Sequence, residues 1–200
     1  MLKMSTDAQH AAPHKYALNG PTMGTRWSAV FHAGPGFDPV PVQLALQAAV
    51  DRVDAQMSTW KPDSALMRFN LAPLGAWQII PPDLVRVVEL GLGIGRASGG
   101  AFDIGMGKAV SAWGFGPAPS DPAGIRAAMA SPHQPAHDML EIDGTRLRKL
   151  APIALDLNGI AKGYGVDILT QTLRDFGLDA ALVGIDGDLR AHGLRPDAEA

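Results

Sequence analysis

The residues best placed to do chemistry lie between Asp156 and Lys162. Asp156 sits near the end of a short apolar stretch, residues 153–157. A polar corner, Asn158-Gly159, follows it. A long amphipathic segment then begins, with Lys162 in its first turn, and Gly177 stops it. A helix start offers unpaired N–H groups and the positive end of the helix dipole. With a carboxylate and a cation beside it, such an end suits a phosphate. The same residues also describe a well-capped helix with Asn158 as N-cap, so composition leaves both readings open.

The elements that must position this corner read as strand, helix and strand. The spacing predicts a strand over 153–157 and a helix over 159–176, its buried stripe marked by Ile160, Leu169, Leu173 and Phe176. Gly177 suits the position just past a helix end. Residues 180–185 and 189–192 are expected to pair across Asp186-Gly187.

Upstream, residues 1–15 are polar and rich in Ala and His, and are expected to be a disordered lead-in. Two extended pieces are predicted around Gly20-Pro21, the second over 25–32, with Thr22-Met23-Gly24-Thr25 between them. Met23 by itself reads as core filling. Asp38-Pro39 opens a helix predicted over 39–57. Its exit, residues 58–64, holds Trp60, which either seals the edge of the core or offers a flat face to a ligand ring. A short helix over 65–70, a strand over 77–80 and a second long helix capped by Asp83 follow.

That helix runs into GLGIGRASGG. Its glycines follow a helix and do not join a strand to one, so they make no dinucleotide fingerprint. They point to a helix packed closely on a neighbour. Gly99-Gly100 before Ala101-Phe102 would allow close backbone approach. Asp103 either caps the next helix or serves a ligand. WGFGP, residues 113–117, reads as a rigid structural turn, and 119–135 as a surface excursion with a short helix near 122–130. His133 and His137 are four apart but flanked by prolines, which argues against a helical metal pair. Residues 139–142 and 146–150 form a hairpin about Asp143-Gly144.

Hairpins interleaved with long helices indicate an α+β fold of antiparallel strands packed with several long helices. The 200 residues are 46% apolar, enough for one core or one and a half domains. A formal net charge of −3 carries no footprint for nucleic acid. The absence of cysteine excludes disulfides, thiolate metal sites, a cysteine nucleophile and a lipid-anchor cysteine. No signal-peptide core and no apolar run of transmembrane length are visible. A natural start would keep the protein in the cytoplasm. A trimmed one would allow a periplasmic, inner-membrane-associated site.

Five stretches stand in a familiar order: PTMGT (21–25), MSTWKPDSALMRFN (57–70), GAFDIGMGKAVSAWGFGP (100–117), LDLNGIAKGYGVD (155–167) and IDGDLRAHG (185–193). Together they resemble the ApbE family of FAD:protein FMN transferases, across residues 20–193. The resemblance implies an enzyme that cleaves the pyrophosphate of FAD and moves FMN onto a Thr or Ser hydroxyl of a target flavoprotein. AMP leaves, and Mg2+ is required. Such targets are redox-complex subunits or flavin-dependent reductases. Some members of the family hydrolyse FAD to FMN and AMP instead.

By position, the resemblance assigns FAD contact to Met23, Trp60, Ala101, Phe102, Asp103, Asp156 and Lys162, and a magnesium ligand to the Gly159 carbonyl. It assigns no catalytic base here. Flat apolar contact from Met23 and Trp60 suits an isoalloxazine, and Lys162 with a helix start suits a pyrophosphate. Where relatives carry Pro-Thr-Val-Gly after the GAFD aspartate, this chain has Ile104-Gly105-Met106-Gly107. Family members also continue past this length with further metal ligands. Residues 16–200 are therefore expected to be the N-terminal and central part of such a domain, truncated at its C-terminus. A chain that binds FAD without catalysis is the alternative.

Overall fold

The computed structural model describes residues 13–130 and 134–194. Most of the expected lead-in, and His133, lie outside them. The chain divides into two compact units, residues 1–49 with 166–200, and residues 50–165. The division falls inside two helices, Val40–Met57 (α1) and Ala161–Asp175 (α7).

The first unit carries a four-stranded antiparallel sheet. Its strands are His14–Thr22 (β1), Thr25–Ala33 (β2), Ala181–Ile185 (β6) and Asp188–His192 (β7), in the order β1-β2-β6-β7. The strand therefore begins at His14, inside the segment expected to be disordered. On β2, Trp27, Ala29, Phe31 and Ala33 alternate inward, as a half-buried strand requires. Gln47 of α1 accepts from Trp27 Nε1 at 2.8 Å and donates to the Pro21 carbonyl at 2.9 Å. Tyr16, Phe31 and Phe37 form a ring cluster with centroids 5.4–5.8 Å apart.

Gly20-Pro21 does not divide the two extended pieces, because both residues lie within β1. The turn is Met23-Gly24, with φ of 45° and 71° between the paired Thr22 and Thr25. Two left-handed residues match the strand twist, which is why so tight a hairpin closes there. At the far end, the Leu178 N–H reaches the Leu173 carbonyl at 3.0 Å, and Gly177 at φ 71° ends α7 as its position predicts.

The second unit holds a three-stranded sheet and most of the helices. The strands, ordered β3-β5-β4, are Gln78–Ile79 (β3), Leu140–Asp143 (β4) and Arg146–Lys149 (β5). The helices are Ala65–Leu71 (α2), Pro82–Ala97 (α3), Gly107–Ala112 (α4), Pro122–Ala130 (α5) and Ala136–Met139 (α6). Ser64 caps α2, accepting from the Met67 N–H at 3.0 Å. Val53, Met57, Leu66, Phe69, Leu84, Val87, Val88, Ile104 and Leu147 form the core.

The close packing read from the α3 glycines is present. A Cβ on Gly91 would stand 2.7 Å from Ile104 Cγ2, and one on Gly95 would stand 3.1 Å from the Phe102 carbonyl oxygen. Asp83 does not cap α3, whose N-cap is Pro81. Its carboxylate instead accepts from Tyr164 Oη at 2.8 Å, Arg52 Nε at 3.1 Å and Gln56 Nε2 at 3.3 Å. Gly99 and Gly100 serve left-handed backbone, at φ 62° and 85°, and not close approach, since nothing stands within 4 Å of either Cβ position.

Candidate functional site

Residues 153–157 are extended, as their apolar alternation predicts, yet they form no strand. Ile153, Leu155 and Leu157 are buried, and Ala154 and Asp156 are half-buried between them. The backbone partners come from elsewhere. A single bridge joins Ala154 to Met106, and the Gly107 N–H donates to the Ala154 carbonyl at 3.0 Å. The Asp156 N–H donates to the Ile104 carbonyl at 2.9 Å. Leu155 pairs with a side chain, Asn70, at both of its peptide groups. Buried peptide groups need partners, and here a loop and one amide stand in for a neighbouring strand.

The same junction joins the segment that carries Ala101, Phe102 and Asp103 to the one that carries Asp156 and Gly159. A Cβ on Gly159 would meet Phe102 Cε2 at 3.1 Å, so the bare glycine lets the ring lie against the corner. Asp103 does not cap α4. Its carboxylate accepts from the Gly105 N–H at 2.6 Å and the Ala136 N–H at 3.1 Å, tying its own loop to the start of α6. Ala101 is exposed and Phe102 half-buried.

Asp156 is held at both oxygens. Oδ1 accepts from the Asn158 N–H at 2.9 Å, and Oδ2 from Asn158 Nδ2 at 3.0 Å. The Asn158 side chain thus turns back onto Asp156. The first helical bond, from the Ala161 N–H to the Leu157 carbonyl at 2.8 Å, closes over a turn at 158–160, and α7 starts two residues later than its sequence predicts. Burial pushes the Asp156 carboxyl above its ordinary range, and the Asn158 N–H offsets part of that rise. Lys162 is half-buried, the second residue of α7.

Asp156 opens onto a cleft of about 790 Å3 in this unit. Thr59, Met67, Asn70, Lys108, Phe115 and Ala128 help to line it. Phe115, Gly116 and Pro117 of WGFGP, and Pro119, Asp121, Gly124, Ala127 and Ala128 beyond it, thus form cleft walls, where the sequence reads a structural turn and a surface excursion. Trp60 stands next to Thr59 in the loop between α1 and α2. It is 62% exposed and so does not seal the core. Met23 belongs to the first unit, half-buried at the tip of its hairpin in a left-handed conformation uncommon for any residue but glycine.

Sequence reasoning passes over Asn70, Lys108 and Lys149. Lys149 is 7% exposed, and its Nζ donates to the Asn70 carbonyl at 2.9 Å. Burial, and then the Lys108 charge, lower its pKa. A lysine on a hairpin strand reads as solvated, and its partner lies 79 residues away, so no local signal marks it. Among the described residues no three His, Asp or Glu side chains converge on a metal position. The Gly159 carbonyl with these residues alone does not make a magnesium centre.

The chain matches the family model described as the ApbE family over residues 23–200. It is 33% identical over 190 residues to the FAD:protein FMN transferase of Vibrio cholerae serotype O1 (strain ATCC 39541 / Classical Ogawa 395 / O395). That match covers 90% of this chain and 55% of the relative. The FAD:protein FMN transferase of Klebsiella pneumoniae (strain 342) is also 33% identical over 190 residues, with 91% and 54% covered. The chain therefore spans about half the length of the curated relatives it matches. Among solved structures, the flavin transferase ApbE from Vibrio cholerae superposes with a TM-score of 0.84 at 32% identity, covering 93% of this chain and 62% of that one. The Pseudomonas stutzeri flavinyl transferase ApbE, apo form, gives 0.81 at 34% identity, with 92% and 63% covered. The mixed helical and antiparallel architecture, the ordered motifs and these matches agree: the chain belongs to the ApbE family.

Proposed function

We propose that the protein to which this chain belongs transfers FMN from FAD to a Thr or Ser hydroxyl of a target flavoprotein. The acceptor oxygen bonds to the phosphorus on the FMN side while that phosphorus gives up the bridging oxygen. AMP leaves with the bridging oxygen, and the hydroxyl proton is lost. The observation that supports this most is the junction in the second unit. There the Ile104 carbonyl accepts from the Asp156 N–H at 2.9 Å, and Gly159 lies against Phe102. Two of the segments to which the family resemblance assigns FAD contact, 100–117 and 155–167, thus meet beside a cleft of about 790 Å3.

In this reading Asp156, Asp103, Ala101 and Phe102 line or support the FAD position, Lys162 faces its phosphates, and Trp60 contacts the flavin. Cation and N–H donors stabilise charge on a departing phosphate. Magnesium belongs to the proposal through the family. The Gly159 carbonyl is the ligand this chain would contribute, and no step is routed through the ion.

The test is to mix full-length protein, FAD, magnesium and a target flavoprotein domain, and to weigh the target. A mass gain of one FMN, with AMP released, is expected. Intact FAD and an unchanged target mass would overturn the proposal. Free FMN and AMP without target labelling would turn the reading to hydrolysis, and bound but intact FAD would turn it to binding alone.

A further inference from the structure

The Asn70 side chain treats Leu155 as a neighbouring strand would. Its Nδ2 donates to the Leu155 carbonyl at 2.9 Å, and its Oδ1 accepts from the Leu155 N–H at 2.8 Å. An amide side chain carries a donor and an acceptor side by side on one planar group, as a peptide does. Aspartate lacks the donor, and alanine lacks both. On the other side, the Asp156 N–H is held by the Ile104 carbonyl at 2.9 Å. The Leu155–Asp156 peptide group is therefore held from two directions, its carbonyl by Asn70 and its N–H by Ile104. Asn70 is itself secured, because Lys149 Nζ donates to its carbonyl at 2.9 Å.

We propose that Asn70 is a positioning residue for substrate binding: by clamping both peptide groups of Leu155 it sets the direction in which Asp156 meets FAD in the cleft. The proposal rests on the transferase reading above. It differs from a general packing role in acting through Asp156. With the clamp gone, the Leu155 groups lose their partners, and the backbone that aims the Asp156 carboxylate relaxes. Small misplacements of a binding group cost large factors in rate or affinity.

The experiment is a double-mutant cycle in the full-length protein, using Asn70→Ala, Asp156→Ala and the pair. The dissociation constant for FAD is read from flavin fluorescence, and kcat and KM from FAD consumption with target present. Each single substitution is expected to raise the KM for FAD by about tenfold or more, with kcat changed far less. The pair is expected to match the worse single variant within about twofold. Effects that multiply would mean that Asn70 acts independently of Asp156, and would overturn the proposal. So would a fall in kcat at unchanged KM, which is what a loss of folded enzyme produces.

If Asn70→Ala gives no cooperative melt, Asn70→Asp replaces it. That variant keeps the acceptor for the Leu155 N–H and deletes the donor, and the same coupling is expected. Wild-type protein that neither binds nor consumes FAD would sink the transferase reading and this inference together. Wild-type binding with multiplicative effects sinks this inference alone.

Discussion

Asp156 combines two opposing influences at one carboxylate. Burial favours its protonated form, while the Asn158 N–H favours the charged one, and burial dominates. A carboxyl whose folded pKa lies above its unfolded value costs stability once it ionises. That cost is absent below the ordinary aspartate range of about 4 and is complete above the raised value. Asp156→Asn keeps an oxygen to accept from the Asn158 N–H. The variant is therefore expected to be more stable than wild type at pH 7. The difference should shrink as the pH falls towards about 4. Urea unfolding across that range checks it, and a difference independent of pH would count against burial as the cause. The same substitution is expected to weaken FAD binding, which is how a residue kept for binding differs from one kept for stability.

Between elements, Asp83 matters more than its place in α3 indicates. One carboxylate receives the Tyr164 hydroxyl at the start of α7 and Arg52 and Gln56 from the end of α1. Burial, and then the Asp83 hydrogen bond and charge, push the Tyr164 hydroxyl up to about 12. Asp83→Ala leaves that buried hydroxyl without its acceptor and is expected to cost about 1–3 kcal/mol. Denaturant midpoints measure the loss, and the phenolate absorbance of Tyr164 should move down from about 12 towards 10.0. The sign for wild type follows from the raised value. The Tyr164 contribution is complete below 10.0 and fades as the pH rises to about 12. An Asp83→Ala variant with unchanged stability and tyrosine titration would show that the contact is not formed in solution.

For the molecule as a whole, the family resemblance assigns FAD positions from Trp60 to Lys162 within the second unit, so a bound dinucleotide would engage residues distant in the chain. A ligand that binds only the native state stabilises it, by about 2.7 kcal/mol at a hundredfold excess over Kd. For about 150–250 residues that corresponds to a rise in Tm of about 5–10 °C, and to roughly half as much for a protein twice as long. The full-length protein is expected to show such a rise with FAD, followed by calorimetry, and Asp156→Ala should remove most of it. No rise at saturating FAD would count against the dinucleotide as ligand. No helix among the described residues is long and apolar enough to cross a membrane.

The sequence by itself determined the local elements. The β2 strand, the Asp38 cap, the Asp143-Gly144 and Asp186-Gly187 turns and the Gly177 stop all depend on neighbours within a few residues. The order of the motifs also determined the family, because several separated segments must occur together for that resemblance to hold. Three assignments needed the tertiary structure. Residues 153–157 have a strand's pattern but take their partners from Asn70 and the 104–107 loop. Asp83 and Asp103 look like helix caps, yet Asp83 bonds groups 27, 31 and 81 residues away and Asp103 reaches Ala136, 33 residues away. Met23 reads as core filling but turns a hairpin at φ 45°. Propensity and periodicity report what a residue does to its own few turns of chain. A side-chain hydrogen bond across 85 residues, such as that from Asn70 to Leu155, leaves no periodic trace. Only the fold brings its two ends together.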